Sequence, residues 1–242
     1  MIKVNKNFIF KWMVVDGCRS GWVISSIYKN NIYISYINNL AEINSYDLST
    51  IYIDIPLKLP QSILNYPRKS DKTAKKHLGK YHSSIFYAPL MDWLDLPFAE
   101  INKKCKKYNK PKLSIQSFNL FKKISEVQEY YKKYPSSFIE IHPELIIHYF
   151  INHKYSKKTV AGQNQRLDCL NNHFATRLTL NHINDAIIEL KKNFPKCKLT
   201  IDDIIDSIFV SCVIDKLIIS TPQHKNGIIV NDDLYNRVNL FK

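Results

Sequence analysis

Three carboxylates, Asp202, Asp203 and Asp206, open the otherwise apolar segment LTIDDIIDSIFVSCVID at 199–215. At 100° per residue of an α-helix they project at about 0°, 100° and 40°, one patch roughly 100° wide. Ile201, Ile204, Ile205, Ile208, Phe209 and Cys212 form the main apolar arc. Val210 and Val213 return to the acidic side, at about 80° and 20°. The helix is therefore apolar nearly all round beyond its first turn, and the patch is not expected to face open solvent. Thr200 or Asp202 suits the N-cap, and the macrodipole favours acids near a helix N-terminus. Capping does not explain Asp206, a full turn inside, and like charges at i,i+3 and i,i+4 repel. A divalent cation would reverse that repulsion, and an oxygen-only donor set suits Mg2+ or Mn2+ rather than zinc.

Partner carboxylates must come from other elements. Asp16 and Asp54 fall at the C-terminal ends of predicted strands, the edge of an open α/β sheet where ligands bind. Glu140 alternates with Ile139 and Ile141 in FIEIH, and a carboxylate inside a buried strand is costly unless paired or bound to a metal. Taken singly, each fits a turn-capping Asp or a surface-facing Glu equally well.

The elements that would position these residues are legible in the hydrophobic pattern. FIFKWMVV (8–15), WVISSIY (22–28) and IYISYI (32–37) are separated by short polar turns and predict a three-stranded antiparallel meander. A short helix at 39–47 and a fourth strand at 50–56 follow, giving the order β-β-β-α-β. From about 70 to 133 the pattern is helical and lysine-rich, with loops at 82–97 and 109–115. SFIEIHPE (137–144) predicts a strand running into a helix at Pro143, a residue suited to a first helical turn. Helical segments within 163–193 and a last long helix at 201–219 complete the chain. The simplest account is one α/β domain over 1–242 with a basic, mostly helical insertion at about 61–135.

Composition adds a partner class. The 242 residues carry a formal net charge of +14, and residues 58–133 hold 17 Lys/Arg against 6 Asp/Glu, +11 of that total. Such asymmetry points to an anionic partner, by default nucleic acid. However, lysines outnumber arginines 30 to 5 amid abundant Asn, Ile and Tyr, a bias that an AT-rich genome would also produce. The five cysteines are scattered without a C-x-x-C pair, giving neither a zinc site nor a disulfide framework and suiting a reducing, cytoplasmic setting. Lys11 interrupts the apolar N-terminal run and no small-residue cleavage site follows, so a signal peptide is not expected. The longest apolar region, 204–219, is broken by Asp206, Asp215 and Lys216, which argues against a membrane span.

With these motifs in order, the chain resembles the domain-of-unknown-function family 429, described as predicted ribonuclease H-like nucleases. The matching strings are VDGCRSGWV (15–23), IDIPLKLP (53–60), RKSDKTAKKHLG (68–79) and HSSIFYAP (82–89). They continue with LSIQSFNLFKKISEV (113–127), IEIHPE (139–144), SKKTVAGQNQRL (156–167) and DDIIDSI (202–208). The resemblance implies a ribonuclease H-like fold: a mixed sheet, antiparallel meander plus parallel strands, flanked by helices. It also implies that Asp16 and Asp206 are metal ligands, joined by Asp203, with Asp54 or Glu140 supplying the remaining carboxylate and Asp202 left as the cap. In resolvase-like members an Ala follows the helix aspartate; here Ser207 takes that place. Lys75 stands where the family pattern usually has Arg, which weakens a bidentate phosphate contact there.

The expected activity is metal-dependent hydrolysis of phosphodiester bonds in DNA or RNA, with two ions held by the carboxylates. Arg19, Arg68, Lys75, Lys123, Lys157, Lys158 and Arg166 are the candidate phosphate contacts, although Lys123 has Glu126 as another partner and Arg19 could merely pin its turn. His142 is a candidate for orienting a ligand or moving a proton, and equally a structural residue before Pro143. Two further readings stay open. One is a non-catalytic nucleic-acid or protein-binding module on the same fold. The other is a phosphotransferase, disfavoured because only five glycines are present to build phosphate loops.

Overall fold

The computed structural model describes residues 1–5, 10–43, 50–151 and 154–220. By contacts it divides into two units, one of 1–54 and 136–242, the other of 55–135. The first carries a six-stranded mixed sheet. Its strands are β1 (Ile2–Val4), β2 (Trp12–Gly17), β3 (Trp22–Tyr28), β4 (Asn31–Ile37), β5 (Thr50–Ile53) and β6 (Phe138–Glu140), in the spatial order β1-β4-β3-β2-β5-β6. The meander β2-β3-β4 is antiparallel, as the short turns and alternating pattern predict. Then β5 adds parallel to β2, and β6 parallel to β5. The edge strand β1, parallel to β4, was not predicted, because three residues are too few to display a period. Residues 8–9 of the expected first strand and 44–47 of the expected short helix lie outside the described residues; of that helix, Leu40–Glu42 form a single 3-10 turn.

Among the described residues the sheet unit has four α-helices: α5 (Pro143–Phe150), α6 (Val160–Phe174), α7 (Leu180–Asn193) and α8 (Ile201–Ser220). Their apolar faces join alternate strand residues in one core, with Trp12, Val14, Val23, Ile34, Tyr36 and Tyr52 from the sheet meeting Ile204, Ile208, Phe209 and Val213 of α8. As the sequence suggests, α8 is buried nearly all round, and no described helix is long and apolar enough to cross a membrane. All five cysteines are free thiols.

One polar knot sets the height of α8 on the sheet. Ser25 pairs with Val14 across the β2–β3 ladder and so projects from the same face as Val14 and Asp16. Its hydroxyl donates to the Ser207 carbonyl at 3.0 Å and lies 2.6 Å from both the Ser207 and Ser211 hydroxyls, all fully buried. One donor and two acceptor positions are what a hydroxyl has, so the arrangement is saturated. Ser207 thus does more than replace a small Ala: it fastens the helix to β3. Because Asp203, Ser207 and Ser211 are spaced by four, the same stripe aims Asp203 at the sheet edge.

The second unit, 55–135, contains α1 (Lys69–Leu78), α2 (Phe98–Lys107), α3 (Ile115–Asn119) and α4 (Phe121–Lys133). Side chains clamped onto backbone hold its loops. Asn102 accepts from the Leu113 N–H at 2.9 Å, and Gln128 donates to the carbonyls of Pro56 and Leu57 at 3.0 and 2.9 Å. Buried Asp71 accepts from Arg68 Nε and from the Ala88 N–H, each at 2.9 Å. Tyr66 packs edge-on against Trp93 at 4.8 Å between centroids, so these aromatics are core.

Replacing Ser25 by Ala strands the hydroxyls of Ser207 and Ser211 in an apolar core. The expected loss is about 1–3 kcal/mol in urea unfolding, and a triple Ser25/Ser207/Ser211→Ala variant should recover part of it.

Candidate functional site

The C-terminal ends of three adjacent parallel strands, β2, β5 and β6, carry Asp16, Asp54 and Glu140. Register decides which of them share a face. Val15 pairs with Ile53 and Ile53 with Glu140, so these three project together, while Asp16 and Asp54, one residue on, project from the opposite face. That opposite face is the one covered by α8, since it continues Val14 and Tyr52. Asp54 keeps its place through a backbone bond to the Val15 carbonyl at 3.2 Å. Among the two strand carboxylates the family resemblance left open, register therefore puts Asp54 beside Asp16. Glu140 looks away from them, linked through His142: Nδ1 is 3.4 Å from Asp54 and Nε2 is 3.7 Å from Glu140. The imidazole is buried, at the distance of a charge pair rather than a short hydrogen bond to either acid.

The tight turn after Asp16 anchors it. A Cβ on Gly21 would lie 2.3 Å from the Ile37 carbonyl oxygen, so only glycine permits this close approach. Ser20 in the turn accepts from the Tyr36 hydroxyl and from the Lys198 N–H at 2.8 Å, tying the turn to the segment that leads into α8. Helix α8 begins at Ile201, so of the two cap residues the sequence offered, Thr200 and Asp202, it is Thr200 that takes the position. Asp203, third in the helix, accepts from the Thr200 N–H at 2.8 Å, half of a capping box. Asp203 is thus at once a capping partner and a site carboxylate.

Asp16, Asp54, Asp203 and Asp206 form one electrostatic cluster. Burial pushes the Asp16 carboxyl well above its ordinary range; Asp54, Asp206 and Asp203 push it further, and Lys157 opposes them. Burial likewise raises Asp203. No three of the five predicted ligands bring their oxygens within 4.8 Å of one another among the described residues. They are gathered but held apart.

Asp206 is the exception in having cations in direct contact. It is 3% exposed and belongs to a ring of four charges that the sequence did not announce. Lys157 Nζ lies 2.9 Å from Asp206 and 2.7 Å from Glu144. Arg166 Nη1 donates to the other Asp206 oxygen, and Nη2 donates to both Glu144 oxygens at 3.0 and 2.9 Å. Burial holds the Asp206 carboxyl above its ordinary range, and Lys157 and Arg166 pull it only part of the way back. On Glu144 the same two cations outweigh burial and hold the carboxyl below its usual value. Burial would lower Lys157, but Asp206 and Glu144 outweigh it and raise the ammonium well above its ordinary value. Lys157 owes its position to a tight turn: a Cβ on Gly162 would sit 2.0 Å from the Ser156 carbonyl, and Thr159 caps α6 by accepting from the Gly162 N–H.

Of the seven predicted phosphate contacts, Lys157 and Arg166 are thus engaged internally. Arg68 binds Asp71 and the Lys58 carbonyl, and Lys75, lowered by burial, donates to the His82 carbonyl over the Tyr87 ring. Arg19 and Lys158 are exposed and Lys123 is half-buried. Glu144 was missed. The available signal was Glu144 itself, one residue after the helix-starting Pro143, and the three cations Lys157, Lys158 and Arg166 of SKKTVAGQNQRL.

These features define an α/β protein with a mixed six-stranded sheet and a carboxylate cluster at the C-terminal ends of its central strands. Its family model matches residues 15–215, so the chain belongs to the family described as protein of unknown function (DUF429). No curated protein and no solved structure matches the chain.

Two outcomes test the site's energetics. Replacing Arg166 by Met leaves two buried carboxylates to one ammonium and should cost about 3–5 kcal/mol in denaturant unfolding, whereas Lys158→Met should stay within about 0.5 kcal/mol. Because the folded state raises the Asp16 pKa, stability is lost progressively as pH rises from the unfolded value, about 4, to that raised pKa, and stays lost above it. Asp16→Asn should therefore melt higher than the parent at pH 8 in metal-free buffer, and the gap should close as pH falls to about 4.

Proposed function

We propose that this protein is a metal-dependent nuclease of ribonuclease H-like fold that hydrolyses phosphodiester bonds in DNA or RNA. The strand order supports the fold: an antiparallel meander whose first member, β2, receives two further parallel strands on its other side. One observation carries the chemistry. Asp16 and Asp54 end adjacent parallel strands on the face that α8 covers, and burial together with Asp54, Asp206 and Asp203 makes the Asp16 charge unfavourable. A fold does not assemble such a cluster for stability, and perturbed carboxylates at a strand-end edge mark a functional site. The donor set is all oxygen, which suits Mg2+ or Mn2+.

Asp16, Asp54, Asp203 and Asp206 are the residues that would hold the ions. Held there, such ions would supply Lewis-acid polarisation of the phosphoryl oxygen and a bound water acidic enough to ionise near neutral pH. Asp16 and Asp54, on adjacent strands of a hydrogen-bonded sheet, provide a rigid pair of oxygens; Asp203 is oriented by its bond from Thr200. His142, beside Asp54, is placed to hold the orientation of that carboxylate. Arg166 donates to Asp206 and so offsets part of the cost of a negative charge there. The surplus of cationic residues in the 55–135 unit supports an anionic polymer as the substrate.

A specific observation favours a second reading. Asp206 has both oxygens engaged by Lys157 and Arg166, as expected of a non-catalytic binding module that keeps the fold and neutralises its acids internally.

Cleavage of end-labelled single- and double-stranded DNA and RNA in Mg2+ and in Mn2+ separates the two. The nuclease reading expects metal-dependent products that fall to background in both Asp16→Asn and Asp54→Asn. Retained cleavage in both variants defeats the mechanism, and nucleic-acid binding without cleavage in either metal favours the binding module.

A further inference from the structure

The ring around Asp206 holds two cations of different character. Arg166 is 5% exposed, its guanidinium anchored by donors to Asp206 and to both oxygens of Glu144. Lys157 is 33% exposed, makes single contacts to the same two acids, and carries its charge on a flexible four-carbon stem. Of the two, only Lys157 can withdraw without unpicking a buried fork. Its shorter contact is to Glu144, at 2.7 Å against 2.9 Å to Asp206, so it can release Asp206 and stay paired.

That matters for ion binding. Lys157 Nζ donates to Asp206 Oδ2, while the other oxygen is held by Arg166. A divalent ion on the same oxygen would sit about 2.1 Å away, within a few ångströms of the ammonium, and like charges that close repel strongly. Resting on the metal-site reading above, we propose that Lys157 is a tethered cation that gates the site. In the metal-free protein it occupies the ligand position on Asp206, and a divalent ion binds only as the ammonium retreats towards Glu144. Lys157 is a positioning residue in this scheme and Glu144 its docking point. The ring therefore stabilises the empty site and sets a threshold for loading it.

Mutual exclusion is a coupling between two cations, and such couplings commonly amount to between about fivefold and 150-fold in affinity. Titrating Mn2+ into the full chain, with free Mn2+ read by electron paramagnetic resonance, should show Lys157→Gln binding roughly tenfold tighter than the parent, and Lys157→Arg no tighter than the parent. A folded Lys157→Gln protein that binds Mn2+ equally or more weakly overturns the gate while leaving the metal site standing. Absence of Mn2+ binding in both parent and variant overturns the metal site and the gate together. A second measurement needs no variant: acetylation of Lys157 in the parent, followed by mass spectrometry, should rise when Mn2+ is added. Unchanged modification at saturating Mn2+ overturns the gate.

Discussion

The sheet unit is organised around the cost of holding acidic groups together at a half-buried edge, with Asp206 buried at its back. A buried carboxylate without compensation is among the most expensive features a core can contain. Here Asp206 is tolerated because Lys157 and Arg166 contact it directly, and because Glu144 returns the local charge to neutrality. Helix α5, helix α6 and the turn before it, and helix α8 each contribute members to that ring, so their packing and the ion balance are one problem rather than two. The serine knot under α8 solves the geometric half of it, and the glycine at 162 lets the Lys157 segment come close enough for the electrostatic half.

Asp16 shows what the arrangement does not balance. Its charge is opposed by burial and by three neighbouring aspartates and eased by Lys157, whose ion pairs among the described residues are to Asp206 and Glu144. Stability alone would favour an amide or an apolar residue at the end of β2. Proteins retain such groups where function requires a charge that folding does not. Within one cluster, then, Asp206 on α8 has its counter-ions in direct contact, while Asp16 at the end of β2 does not.

Much of this architecture was readable beforehand. The strand at Trp22–Tyr28, the start of α5 at Pro143 and the whole of α8 follow from local periodicity, turn residues and capping preference, all properties of neighbouring residues along the chain. The acids were legible too, because a carboxylate among isoleucines is conspicuous. What local pattern could not show was pairing. Glu140 looked like a partner of Asp16 until register put it on the other face, and Arg166, a candidate phosphate contact, proved to be a buried counter-ion.

The sequence by itself determined most of the strands and helices, which helix is buried nearly all round, that Asp16, Asp54 and Asp203 would lie at element ends, and that Asp206 would sit one turn inside its helix. Those outcomes depend on hydrophobic period and backbone preference within a few residues. Only the tertiary structure decided that Glu144 closes a ring with Lys157, Arg166 and Asp206, and that Ser207 fastens its helix to Ser25. These contacts join residues between 13 and 182 positions apart, counted from Glu144–Lys157 to Ser25–Ser207. A charge or hydroxyl carries no directional mark in sequence: its partner is chosen by what burial brings within reach.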